Sequence, residues 1–243
     1  MTAYFGHRTR LGLIVPPNNT VNEAEWASAM PAGVTMHALR MRLNPLARSD
    51  EELGILRQDL QAACQLFAEA EISALAFGCT APSAVSPRQQ MEAMMTAASG
   101  LPAATAAAAV VDALLAVGAK QVVLMSPFSA AVTEHEARFM AQEGLEVLSQ
   151  QSLGHGTYQP GKKLEIHRIA PEQVLKAVAQ IDHSQADAIV VSGTNLVTFP
   201  VIEEIEALTG KPVVSSNQAL LWSTLRKAGI ADALPLGRLF KLS

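Results

Sequence analysis

The sequence predicts an α/β fold: two pseudo-symmetric lobes with mainly parallel sheets and a ligand site in the cleft between them. Three observations carry this expectation. Short β-branched runs alternate with longer segments of helical period. Several of the runs are apolar at every position, as strands are when helices cover both faces of a sheet. Four landmarks also recur in order at nearly constant spacing: Pro16 with Pro127, Cys79 with Gly193, Pro102 with Pro212, and Gly118 with Gly229, 110 to 114 residues apart. One accidental match would mean little, but four in order indicate two copies of one α/β unit.

The elements follow from the N-terminus. "LGLIVP" (Leu11–Pro16) is a solid apolar strand that ends at a proline. "PPNNT" is a turn whose Asn18 and Asn19 can cap a helix opening at "TVNEAEW". "VTMHALRM" is the next strand; the "MRLNP" that ends it, with Arg40 and Arg42, reads as a strand-end turn or a carboxylate site. Asp50–Glu69 has helical period and carries Cys64 inside it. "ISALAFG" is a strand that runs into "GCTAP", followed by helices at Pro87–Ala98 and, after the strand "LPAAT", at Thr105–Val117.

The second copy repeats the plan. "QVVLMSP", "LEVLSQQ", "AIVVSGT" and "PVVSS" are strands, and Thr133–Glu143, Pro171–Ile181, Pro200–Leu208 and Gln218–Ala228 are helices. The last elements are expected to return to the first lobe. This gives residues 1–115 and 218–243 for one lobe and 116–217 for the other. In open sheets of this kind ligands bind beyond the carboxyl ends of the strands. The segments there are "PPNNT", "GCTAP", "SPFSA" and "SGTN", and two facing lobes would bring all four to one crevice.

Composition narrows the function. The chain has 243 residues, 16% charged and 49% apolar, with a net charge of -4 and no basic run. That leaves no electrostatic footprint for nucleic acid. No apolar stretch reaches the roughly 18 residues of a membrane span. Two cysteines make no disulfide framework, and the N-terminus has no cleavable signal pattern, so a reducing cytoplasm is the expected location. The six histidines show no metal-ligand spacing, and the glycines form no dinucleotide fingerprint, so neither metal nor cofactor is expected. Lys162 and Lys163, in a glycine-rich loop flanked by His155 and His167, read as a solvated loop. Association into a homo-oligomer is left open.

The arrangement of "VPPNNTVNEAE", "GCT", "SGTNL" and "KPVVSSNQALLW" resembles the aspartate/glutamate racemase superfamily, a group with two Rossmann-like lobes. Within it the branch of maleate cis-trans isomerase and arylmalonate decarboxylase is the most similar. The resemblance covers nearly the whole chain and implies no metal or cofactor and a small dicarboxylic acid as substrate. Racemases of this superfamily place a cysteine on each lobe. Maleate isomerase also has two, while arylmalonate decarboxylase keeps only the second, with glycine at the first. Here Cys79 falls on the first-lobe cysteine and Gly193 on the second. Asn19 falls on an asparagine that binds a substrate carboxylate. Thr80, Thr194 and Asn195 fall on positions that hold carboxylate oxygens, with Ala81 in the same segment as Thr80. Phe128 replaces a tyrosine, and Pro16 and Pro17 fix the backbone beside the site. Asn217 reads as a helix cap or a ligand contact.

The chemistry follows from one thiol. Loss of CO2 from a malonate-type diacid needs a hole for the enediolate oxyanion and one proton donor. Cis-trans isomerisation needs one nucleophile that adds to an alkene and leaves. Cys79 can serve either, and the helix start after it is expected to lower its pKa. Two-base racemisation needs a second thiol that Gly193 cannot supply; the missing side chain is expected to leave space on that face. The leading expectation is a cofactor-independent decarboxylase with Cys79 as proton donor. A maleate-type isomerase is the alternative, and a non-catalytic dicarboxylate-binding module the third.

Overall fold

A computed structural model describes residues 4–42, 50–85, 87–155 and 165–242. Strands β1 (Thr9–Val15), β2 (Val34–Arg40), β3 (Ala74–Phe77) and β4 (Ala103–Thr105) form one sheet in the order β2-β1-β3-β4. Strands β5 (Gln121–Ser126), β6 (Glu146–Ser152), β7 (Ala188–Val191) and β8 (Val213–Ser215) form a second in the order β6-β5-β7-β8. Every neighbouring pair is parallel, and the two orders are identical when four is added to each strand number. Duplication is therefore visible in topology as well as in sequence. In the central pairs, Leu13 lies opposite Ala76 and Leu124 opposite Val190. β1, β3, β5 and β7 are buried almost throughout, which is why their sequences are continuously apolar rather than alternating.

The helices are α1 (Asn22–Ala29), α2 (Asp50–Ala68), α3 (Thr80–Ser83), α4 (Gln89–Ser99), α5 (Ala106–Ala116), α6 (Ala130–Gln142), α7 (Pro171–Ala179), α8 (Ile202–Thr209) and α9 (Ser216–Lys227). Several ends differ from the sequence-based bounds, and two of the differences have a local cause. α6 begins at Ala130 rather than Thr133, because the Ser129 carbonyl already accepts from the Val132 and Thr133 amides. The segment expected as Pro200–Leu208 opens with a single 3-10 turn at Phe199–Val201 before α8.

The two lobes meet along α5 and α9, which pack on each other. α5 is buried nearly all round, and its alanines Ala106 to Ala109 let neighbouring backbones approach closely. α9 also packs on β3 and β4 of the first sheet, while α5 contacts β8 of the second. A capping box starts α9: the Ser215 hydroxyl accepts from the Gln218 amide, and the Gln218 side chain accepts from the Ser215 amide. Trp26, fully buried, donates its indole N–H to the Asn217 carbonyl at 3.0 Å and ties α1 to α9. Among the described residues, no helix is long and apolar enough to cross a membrane.

Candidate functional site

The carboxyl ends of the central strands converge on a cavity of about 330 Å³. Pro16, Pro17, Asn18 and Asn19 enter it from the turn after β1, and Cys79, Thr80, Ala81 and Pro82 from the end of β3. Phe128 and Val132 follow β5, Thr194 and Asn195 follow β7, and Ile166 closes one side. Among the described residues, no charged side chain lines it. The polar groups are neutral amides and hydroxyls, and Phe128, Val132, Ile166 and the prolines make an apolar wall. Lys162 and Lys163 lie outside the described residues, and Arg40 is paired with Glu23 instead of a ligand.

Hydrogen bonds hold the segments together across the lobe boundary. Asn19 caps α1: its side-chain oxygen accepts from the amides of Val21 (3.1 Å) and Asn22 (3.0 Å), and its amide nitrogen donates to the Thr194 hydroxyl (3.2 Å). The Thr194 hydroxyl donates to the Gly78 carbonyl at 2.9 Å. Asn195 accepts from the Thr20 amide and donates to the Asn18 carbonyl. On the other side, the Thr80 hydroxyl donates to Ser216 Oγ (3.2 Å), which also accepts the Gly193 amide at 3.0 Å. These polar side chains are therefore preorganised by one another, as an oxyanion site requires.

Cys79 stands at the N-cap of α3 in extended conformation, 8% exposed. The expected lowering of its pKa is overturned: burial pushes the thiol well above its ordinary range, and the nearby Glu136 pushes it further. α3 has only four residues, so it supplies one turn of aligned dipoles against full desolvation, and desolvation wins. Cys64 is buried in α2, where burial raises its thiol to about 12; it belongs to the core, as its sequence context suggests.

Gly193 does not line the cavity and does not leave open space. Its φ is +105°, and a Cβ there would lie 2.9 Å from Pro127 Cγ and 3.6 Å from Phe128 Cζ. The glycine is thus required by backbone conformation and by the close approach of Pro127. Gly78, before the thiol, is similarly constrained: a Cβ would fall 2.2 Å from Asn22 Oδ1.

Asn217 neither caps α9 nor reaches the cavity. Its side-chain amide donates to Glu25 Oε2 (2.6 Å) and to the Thr194 carbonyl (3.1 Å). Glu25 also accepts the Thr198 and Phe199 amides, so this buried carboxyl clamps α1 to the loop beyond β7 and to α9. His155 is exposed, whereas His167 is only half-buried. Sequence reasoning missed Asn18, Pro82, Val132 and Ile166 as lining residues. Asn18 and Pro82 sit inside segments already singled out, and Val132 lies two residues past one. Ile166 carries no local signal, because a single apolar residue beyond a long loop has no period to read.

Comparison with known proteins gives one family. A family model described as Arylmalonate decarboxylase matches residues 11–240. A maleate isomerase of Geobacillus stearothermophilus is 27% identical over 93% of this chain and 94% of its own length. The arylmalonate decarboxylase of Bordetella bronchiseptica is 35% identical, over 60% of each chain. Among solved structures, a double mutant of arylmalonate decarboxylase, with a glycine changed to cysteine and a cysteine to serine, superposes with a TM-score of 0.84. It is 26% identical and covers 97% of this chain and 100% of that one. A Nocardia farcinica maleate cis-trans isomerase mutant with a covalently bound succinylcysteine intermediate has the same fold, with a TM-score of 0.85 at 24% identity, covering 97% and 99% of the two chains.

Proposed function

The chain belongs to the arylmalonate decarboxylase family, and from that premise we propose that it is a cofactor-independent decarboxylase of a small malonate-type diacid. One observation supports this above others: Cys79 is a protonated thiol facing a cavity of neutral donors and apolar wall. A thiol held neutral is a proton donor at rest.

In this reading one substrate carboxylate takes hydrogen bonds from the remaining amide hydrogens of Asn19 and Asn195 and from backbone N–H groups of the Thr80 and Thr194 turns. The two threonine hydroxyl protons already go to Ser216 Oγ and the Gly78 carbonyl. The other faces the apolar wall of Phe128, Val132 and Ile166, where an anion loses solvation and leaves more readily as neutral CO2. The carbon–carbon bond breaks, and its electron pair passes into the remaining carboxylate as an enediolate. The donors stabilise the oxyanion. Cys79 then delivers its proton to carbon and becomes a thiolate, which is reprotonated before the next cycle.

The second reading is a maleate-type cis-trans isomerase with Cys79 as nucleophile. It is favoured by the maleate isomerase relatives that match over nearly their full length. It demands a thiolate before chemistry begins, which the buried thiol makes costly. The test is NMR of the protein with phenylmalonate and with maleate in deuterated buffer. Deuterated phenylacetate supports the decarboxylase; fumarate selects the isomerase. Diacid binding without either product would support a binding module and overturn both.

A further inference from the structure

The duplication gives each copy a glutamate in the helix after its first strand. Glu25 in α1 and Glu136 in α6 are 111 residues apart, the same spacing as Pro16 and Pro127. Their surroundings differ completely. Glu25 accepts hydrogen bonds from the amides of Thr198 and Phe199 and from the side chain of Asn217. At the spacings of the repeat, Thr198 corresponds to Ala84 and Asn217 to Ala107. Ala84 and Ala107 both line a small cavity with Glu136, Ser192 and Thr80, the residue next to Cys79. Glu136 is 1% exposed, and neither carboxyl oxygen accepts a well-formed hydrogen bond among the described residues, the Ser192 and Ser126 hydroxyls being its polar neighbours. Glu25 has thus kept its lock beneath the Gly193 loop, whereas the twin beneath the Cys79 loop has lost it.

We propose that Glu136 is a positioning residue for Cys79: an uncharged carboxyl behind the thiol's loop whose ionisation disfavours the thiolate and switches the site off. The inference rests on the reading that Cys79 passes through a thiolate, which both proposed reactions require. The cavity measures about 10 Å³, the lower edge of the space one water needs, so an anion there cannot be properly hydrated. Burial accordingly raises the carboxyl to about 8, while the neighbouring Ser192 and Ser126 hydroxyls favour its ionised form.

Other charges do not take over this role. On α6 itself Glu134 and Arg138 pair with each other at the surface, His135 lies on the same helix, and Glu143 is paired with Arg88. On the packed elements, Asp112 of α5 is also paired with Arg88, and Glu146 of β6 is exposed. α3, β5 and β7 contribute no acidic or basic side chain. Below pH about 8 the group behind Cys79 is neutral; above it, a like charge opposes every thiolate.

The experiment measures iodoacetamide labelling of Cys79, read by mass spectrometry of its peptide, in wild type and Glu136→Gln between pH 6.5 and 9.5. The glutamine variant should label about tenfold faster at pH 9, one pKa unit of relief, with the two proteins equal at pH 6.5. With phenylmalonate or maleate as substrate, kcat/KM should fall above pH about 8 in wild type, with this limb displaced upward in the variant. If neither substrate turns over, the proposed function fails while the labelling ratio still decides the role of Glu136. A ratio near one at every pH, or one equally raised at every pH as by simple loosening, would overturn the proposal. Should Glu136→Gln fail to fold, Ser192→Ala removes a hydroxyl that favours the carboxylate. It should then raise labelling at pH 8.5, and no increase there counts against the inference.

Discussion

Cys79 must give up a proton from a place where its anion is poorly solvated, and that tension defines the residue-scale predictions. Cys79→Ala should lower turnover by about 10²–10⁴-fold while leaving the fold and diacid binding intact. Calorimetric titration beside a rate assay checks both. Cys64→Ala should do the reverse, costing about 1–2 kcal/mol of stability with little change in rate, because its thiol only fills the core around α2. In the resting protein Cys79 should label slowly with iodoacetamide near neutral pH, contrary to what its place before a helix suggests. Gly193→Cys is expected to act chiefly on the fold. A residue other than glycine at φ +105°, with its Cβ against Pro127, should destabilise by about 1–3 kcal/mol, visible as a lower Tm. If that variant folds as stably as wild type and racemises the decarboxylation product, the glycine is a vacated thiol position after all.

At the scale of elements, the clamp made by Glu25 fastens α1 to the β7 loop and to α9. Glu25→Ala should cost about 2–4 kcal/mol, since buried amide donors are left without acceptors; denaturant titration measures it. The two buried glutamates also make stability depend on pH. Each has its folded-state pKa raised by burial above the unfolded value of about 4.3, so the stability it contributes is full below that value. It is lost as pH rises through the folded pKa, about 8 for Glu136. The Tm should therefore decline between about pH 5 and 8, and Glu136→Gln should flatten the decline; an unchanged slope would exclude Glu136 as its source. Much of this architecture was readable beforehand. All eight strands were, and β1, β3, β5 and β7 most directly, because burial on both faces writes itself into the sequence as unbroken apolar runs. The strand-end segments around Asn19, Cys79, Phe128 and Thr194 were readable through the repeat. What was not readable depends on depth and distance. The sequence does not show that α3 is a single turn, that Pro127 fills the face of Gly193, or that Asn217 turns inward to Glu25.

For the whole molecule we propose that residues 1–115 with 218–243 act as one unit and 116–217 as the other. The packing of α9 on β3 and β4 supports that division. α5 lies against β8 at the same time, so the units interlock. This crossing of the last helix has a consequence for a chain still on the ribosome. β3 and β4 are complete once Thr105 has been made, but the helix that covers them arrives only with Ser216–Lys227. At about 5–20 residues per second the first sheet keeps an apolar face bare for on the order of ten seconds. Nascent chains stalled at residue 215 should therefore be cut rapidly by protease and held by chaperones. Release of the full chain should bring protection of both halves in a single step rather than one after the other.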